Sequence, residues 1–203
     1  GISAPLQAVP SMALGTNDIS LLELTAAYAP FANGGIGVIA NVITRIETAD
    51  GEVLYQASPA GPGRVIAPEI VGEMNDMLQT ALEIGTGKRA QLDGWPIAGK
   101  TGTSQKGRDA LFIGYSARMV TGVWLGNDDD TGTKLSGGNV PVEIWSEFMQ
   151  KAHQGLQVAE LPGAYTHVAG MDENNAPLQP MEQPPQRSTR TIVDLIGQMF
   201  GGN

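Results

Sequence analysis

The sequence predicts an α+β domain, with helices packed on an antiparallel sheet. Three stretches carry apolar residues at helical spacing, and two of them open on a proline. Three strand-like runs lie between residues 95 and 126, separated only by short turns, which favours an antiparallel meander. The resulting order is helix, hairpin, helix, three-stranded meander, helix.

Thr16-Asn17-Asp18 makes a turn, and Ser20-Leu21-Leu22-Glu23 matches a capping box. Leu21, Leu24, Ala27, Tyr28 and Phe31 follow at helical spacing until Asn33-Gly34-Gly35 stops the helix. Pro30 should bend or shorten its last turn. Residues 38–47 are rich in β-branched side chains, Asp50-Gly51 signals a hairpin, and Val53-Leu54-Tyr55 supplies the return strand. Residues 58–63 are a Pro/Gly loop. Pro68 starts a second helix whose apolar stripe reads Ile70, Met74, Met77, Leu78 and Ala81, ending before Gly85. The meander strands are expected at 95–104, 110–116 and 119–126. A polar, Gly-rich loop covers 127–139. Pro141 opens a third helix with Trp145, Phe148, Met149 and Ala152 on one face and Gly155 past its end. From Leu161 onward Pro, Gln and Asn dominate. The chain thus divides into a domain over 1–160 and a linker and tail over 161–203, with a short helix at 191–200.

Hydrophobic residues make up 41% of the 203 residues and charged residues 16%, which is enough apolar material for a substantial core. The formal net charge of -9 disfavours nucleic-acid binding and electrostatic docking on anionic lipid. The absence of cysteine excludes a disulfide framework, a thiolate metal site and a cysteine nucleophile. No cofactor or metal site is expected. No apolar run approaches the roughly 20 residues of a membrane-spanning helix. Gly1-Ile2-Ser3-Ala4-Pro5 reads as an interior stretch, so an export signal or anchor is expected upstream.

The sharpest chemical feature is Gly99-Lys100-Thr101-Gly102-Thr103. It lies inside an apolar strand, where burying an unpaired ammonium would cost on the order of several kcal/mol or force a pKa shift. Glycine lets a ligand or another backbone approach closely. The result is a cationic, hydroxyl-rich strand edge suited to an extended anionic substrate. The plainer reading makes Lys100 a strand-end lysine reaching solvent and the threonines ordinary strand formers.

Lys-Thr-Gly is a motif of penicillin-binding proteins and serine β-lactamases. The wider sequence resembles class A penicillin-binding proteins through PSMALGT at 10–16, LTAAYAPFAN at 24–33 with Gly34-Gly35, and GTGK at 85–88. It continues through GKTGTSQKGRDALFIGY at 99–115, VWLGND at 123–128, Ile144-Trp145 and Phe148-Met149. That resemblance implies the C-terminal half of a penicillin-binding or serine β-lactamase-like transpeptidase domain. Such enzymes crosslink peptidoglycan by serine acyl transfer from D-Ala-D-Ala stem peptides, and β-lactams acylate the same serine. It implies catalytic roles for Lys100 and Thr103: Lys100 would bring positive charge to the cleft, and the Thr103 N–H would be an oxyanion donor. It also implies that Thr101, Gly102 and Thr103 bind substrate, with the two hydroxyls on the terminal carboxylate. The implied location is the periplasmic or extracellular face of the cytoplasmic membrane.

The family's Ser-x-x-Lys nucleophile and Ser-x-Asn motif do not occur in this chain; Ser104-Gln105-Lys106 has the wrong spacing. A nucleophile from an N-terminal part of the same protein is therefore expected, and this chain alone should be inactive. Leu111 stands where the family commonly has tryptophan. A serine β-lactamase and a non-catalytic sensor or interaction module of the same fold are the competing readings.

Other features are weaker. Gly85-Thr86-Gly87-Lys88 lacks the first glycine and the Ser/Thr of a phosphate loop and reads as a helix-ending loop near the cleft. Asp128-Asp129-Asp130 fails the calcium-loop spacing. His153 falls at a helix end, where an imidazole meets the dipole favourably, and His167 falls in the tail. Arg108 and Asp109 precede a strand and are expected to pair, either at the cleft rim or as a plain surface ion pair. Tyr28, Phe31, Trp145 and Phe148 are expected in the core.

Overall fold

A computed structural model of the chain describes residues 2–58 and 61–163. The helix expected at 191–200 and His167 lie outside the described residues. A short 3-10 turn at Pro10–Leu14 precedes helix α1, Leu21–Ala32. Strands β1, Arg45–Glu47, and β2, Val53–Gln56, form the hairpin, followed by helix α2, Pro68–Glu83. Strands β3, Ala98–Thr103, β4, Asp109–Tyr115, and β5, Val120–Gly126, form an antiparallel sheet in the order β3-β4-β5. Helix α3 spans Val140–Ala152. The α+β class and its antiparallel sheet match the expectation.

Local chemistry sets the boundaries. The Ser20 hydroxyl accepts the Glu23 N–H at 3.2 Å, as a capping box requires. The Glu23 carboxylate does not complete the box: it accepts the Ser3 N–H at 2.8 Å and the Ser3 hydroxyl, and these bonds hold its pKa below the usual range. Pro30 is carried in the last turn of α1, which ends two residues later. Gly51, at φ 90°, turns the β1–β2 hairpin. Strand β1 is shorter than its β-branched content suggests. Residues 38–44 lie outside the two strands, Asn41 bonds the Ile39 carbonyl at 2.9 Å, and Val42 is 93% exposed. The β-branched stretch lacks a partner ladder to bury it. Strand β3 begins at Ala98 rather than Trp95 because Leu92–Trp95 closes a turn, with the Trp95 N–H on the Leu92 carbonyl at 3.1 Å, and Pro96 has no N–H to donate.

The sheet separates two apolar clusters. Phe112 on one face packs with Leu82, Leu92, Val142, Trp145 and Met149. The Phe112 and Trp145 rings meet edge to face at 5.3 Å, and the Trp145 Nε1–H donates to the Gly114 carbonyl at 3.0 Å. Ala98 and Tyr115 on the other face pack with Ala32 of α1 and Leu78 of α2, joined by half-buried Tyr28 and Phe31. Phe148 is not a core aromatic. The buried face of α3 runs through Val142, Trp145, Ser146 and Met149, which leaves Phe148 on its flank, 51% exposed.

The buried stripe of α2 is also rotated from the expected one. It reads Val71, Asn75, Leu78 and Leu82, while Ile70 and Met77 face solvent. A polar residue at its centre hid it. Asn75 donates to the Phe31 carbonyl at 3.0 Å and to the Pro162 carbonyl at 2.8 Å, and its Oδ1 accepts the Tyr115 hydroxyl at 2.6 Å. Burial, and secondarily the neighbouring Tyr28, pushes the Tyr115 hydroxyl's pKa up, so it stays a donor. Packing therefore continues past the boundary at 160: Leu161 joins the α1-side cluster. A second buried polar join closes the far end of the sheet. His153, the residue that caps α3, turns Nδ1 to the Met149 carbonyl at 2.9 Å and Nε2 to Ser116 Oγ at 2.7 Å. A carbonyl only accepts, so Nδ1 is the donor of that bond, which fixes the ring with its other nitrogen on the serine.

Candidate functional site

Strand β3 is an edge of the described sheet, and its register decides what it offers. The Ser104 N–H donates to the Asp109 carbonyl at 3.1 Å and the Ser116 N–H to the Met119 carbonyl at 3.0 Å. With Ala98 opposite Tyr115 and Thr103 opposite Ala110, the ladder bonds to β4 fall on Ala98, Lys100 and Gly102. The N–H and C=O groups of Gly99, Thr101 and Thr103 therefore point away from β4, to the open edge. An edge strand with free amides is a ready acceptor of an extended peptide.

The side chains alternate between faces. Thr101 and Thr103 share a face with Phe112, and Lys100 and Gly102 share the other with Leu111 and Ile113. Lys100 is exposed, so no burial of its ammonium has to be explained; Nζ bends back to the Thr101 carbonyl at 2.9 Å, on the open edge. The lysine and the two hydroxyls thus leave the strand on opposite sides and converge only at its rim.

Two loops complete the threonine side. The segment after α2 brings Thr86, whose hydroxyl lies 2.5 Å from that of Thr101. The segment before α3 brings Gly137, whose N–H donates to Thr103 Oγ1 at 3.1 Å. Between them is a cavity of about 300 Å³ that reaches Lys88 and Arg89 on one side and Ser136 and Asn139 on the other. Arg89 is paired with Glu143 at 3.0 Å. Thr86 belongs to the Gly85–Lys88 loop that the sequence places near the cleft, whereas Ser136 and Gly137 were not singled out in the sequence. Only the adjacent glycines 137 and 138 hinted at close approach.

Glycine is required at 137. A Cβ there would stand 2.2 Å from the Leu111 carbonyl oxygen and 2.5 Å from that of Gly102. Gly137→Ala is expected to push the loop off β3 and cost about 1–3 kcal/mol, as overpacking does. An unchanged urea midpoint would show that the loop does not rest on the strand.

The rim pairing differs from the expected one. Arg108 bonds Asp130 at 2.9 Å, and Asp109 accepts the Trp124 indole N–H at 2.9 Å. Arg108 ends the 3-10 turn at Gln105–Gly107 in helical backbone conformation while Asp109 begins β4, so the two side chains take separate partners. In the acidic loop, Asp129 accepts the Thr131 hydroxyl at 2.7 Å and the Thr131 N–H at 3.1 Å, bonds that lower its pKa.

The family of penicillin binding protein transpeptidase domains matches residues 6–150. Among individual relatives, penicillin-binding protein 1A of Neisseria meningitidis serogroup B is 36% identical over 162 residues, which are 76% of this chain and 20% of that protein. Penicillin-binding protein 1A of Aquifex aeolicus is 39% identical over 142 residues, covering 69% of this chain and 19% of the relative. The chain therefore spans about a fifth of the length of the curated relatives it matches. Among solved structures, the penicillin-binding protein PonA1 from Mycobacterium tuberculosis superposes with a TM-score of 0.66 at 26% identity, over 89% of this chain and 49% of that one.

Proposed function

Since the chain belongs to the penicillin binding protein transpeptidase domain family, we propose that it supplies the Lys-Thr-Gly-Thr edge of a D-Ala-D-Ala transpeptidase that crosslinks peptidoglycan and is acylated by β-lactams. The nucleophilic serine, in a Ser-x-x-Lys motif, and the Ser-x-Asn motif come from sequence upstream in the same protein. The reaction takes place on the outer face of the cytoplasmic membrane.

One observation carries the reading: the Thr103 N–H points out of the sheet at an open edge, where an extended stem peptide can lie alongside β3. When the serine oxygen attacks the D-Ala-D-Ala carbonyl, the carbonyl oxygen takes on negative charge, and a fixed N–H aimed at it stabilises that charge. D-Alanine leaves with a proton, and an amine of a neighbouring stem takes the acyl group from the serine. Thr103 Oγ1 already accepts the Gly137 N–H, so its own proton is left to donate to an acceptor such as the substrate's terminal carboxylate. One proton of the Thr86–Thr101 hydroxyl pair is spare in the same way. Lys100 adds positive charge at the rim from the other face.

The test is labelling with a fluorescent penicillin. This chain alone is expected to remain unlabelled, and the full-length protein carrying the upstream Ser-x-x-Lys segment is expected to form a long-lived acyl-enzyme. Rapid hydrolysis of that adduct would make the protein a β-lactamase. Absence of any adduct would make it a non-catalytic module of the same fold.

A further inference from the structure

The alternation of β3 leaves the substrate carboxylate without an obvious counter-charge. The spare hydroxyl protons of Thr103 and of the Thr86–Thr101 pair lie on the face opposite the Lys100 side chain, whose ammonium is engaged by the Thr101 carbonyl. The cations on the threonine side are Lys88 and Arg89, which line the same cavity of about 300 Å³. Arg89 is neutralised by Glu143 at 3.0 Å. No carboxylate is among the cavity's lining residues, in a chain with 21 acidic and 12 basic side chains. The cavity is thus a small positive enclave, walled by hydroxyls whose oxygens already accept or share bonds and whose remaining protons can only donate.

We propose that Lys88 is a specificity-determining residue that supplies the counter-charge for the substrate's carboxylate, with Thr101 and Thr103 as its hydroxyl partners. Lys100 then serves the rim and the reacting groups rather than the carboxylate. This assignment rests on the transpeptidase reading above and divides its two cations between two tasks. Lys88 is exposed, so its replacement removes a charge without disturbing the core. The loop after α2 carries Thr86 to the Thr101 hydroxyl and Lys88 to the wall of the same cavity.

The experiment compares acylation of the full-length protein by a penicillin and by its carboxylate methyl ester. In the unsubstituted protein the free carboxylate is expected to react faster. In Lys88→Gln the ratio of the two second-order rate constants is expected to fall about tenfold, the size of one lost charge-assisted hydrogen bond. Lys88→Arg should restore most of the ratio. A ratio unchanged in Lys88→Gln, or both rates falling equally, would overturn the assignment, the second by revealing a merely structural role. If the unsubstituted protein reacts with neither compound, the transpeptidase reading itself fails; if it reacts and only the ratio is unmoved, that reading survives and the role of Lys88 does not.

Discussion

Full-length protein carrying Thr103→Pro is expected to keep its sheet and to lose about 10²–10³-fold in the rate of acylation by penicillin. Proline usually ruins a strand by removing a ladder donor, but the ladder donors of β3 are Ala98, Lys100 and Gly102, and the Thr103 N–H points to the open side. The ring would replace that N–H with carbon at the place where a developing oxyanion needs a hydrogen. Thr103→Ala separates backbone from side chain: it removes the hydroxyl that accepts from Gly137 and keeps the N–H. It should cost about tenfold, the scale of one hydrogen bond to a charged group. Rates for the proline variant equal to those of the unsubstituted protein would show that this edge does not face the reacting carbonyl. Far-ultraviolet circular dichroism and the thermal midpoint of both variants report whether the sheet survived.

The chemistry of β3 was legible in the sequence because it is local. Lysine, hydroxyls and glycines occupy five consecutive positions, and the turns on either side of β4 make the meander the economical fold. The division of labour across the strand was not. Reading Lys100, Thr101 and Thr103 as one grip ignores the period of two, which sends neighbours to opposite faces. Arg108 and Asp109 failed to pair for a different reason: a 3-10 turn ends at Arg108 and the strand begins at Asp109. The walls of the cavity were hidden for another reason. The loop of Thr86 was placed near the cleft but not against Thr101, 15 residues on, and Gly137 comes from a loop 34 residues from the Thr103 it meets; a short polar loop does not announce which strand it will lie on. Helix faces failed where polarity and burial part company. Hydrophobic periodicity placed Phe148 inside and passed over Asn75, because burial of an amide depends on partners 40, 44 and 87 positions away. Leu111 escapes both problems. Its substitution for the family's usual tryptophan is plain in the sequence, and the structure places it between Gly102 and Trp124 on the Lys100 face.

Asn75 is also where the largest loss of stability is expected. Its side chain uses both N–H donors and its oxygen, joining the end of α1, the middle of α2, strand β4 and the Pro162 backbone in one buried contact. Asn75→Leu has similar volume but leaves two carbonyls and the Tyr115 hydroxyl without that partner. An unsatisfied buried group costs about 1–3 kcal/mol, so a loss of about 3 kcal/mol or more is expected, or about 6–12 °C in thermal midpoint for a domain of this size. Tyr115→Phe, which orphans only the amide oxygen, should cost about a third as much. Asn75→Asp adds a signature in pH. Its carboxylate would face two carbonyl oxygens in a buried site, so its folded pKa would be raised above the unfolded value of about 3.9. A raised carboxyl pKa gives stability that is fully present below the unfolded value and is lost as pH rises through the folded one. Measured against Asn75→Leu to cancel the background titration of Glu23 and Asp129, Asn75→Asp should gain stability as pH falls from 7 toward about 4. If instead Asn75→Leu unfolds at the same urea concentration as the unsubstituted protein, the amide is not what ties the two helices to the sheet, and Leu78 and Tyr115 would have to hold that face by packing alone.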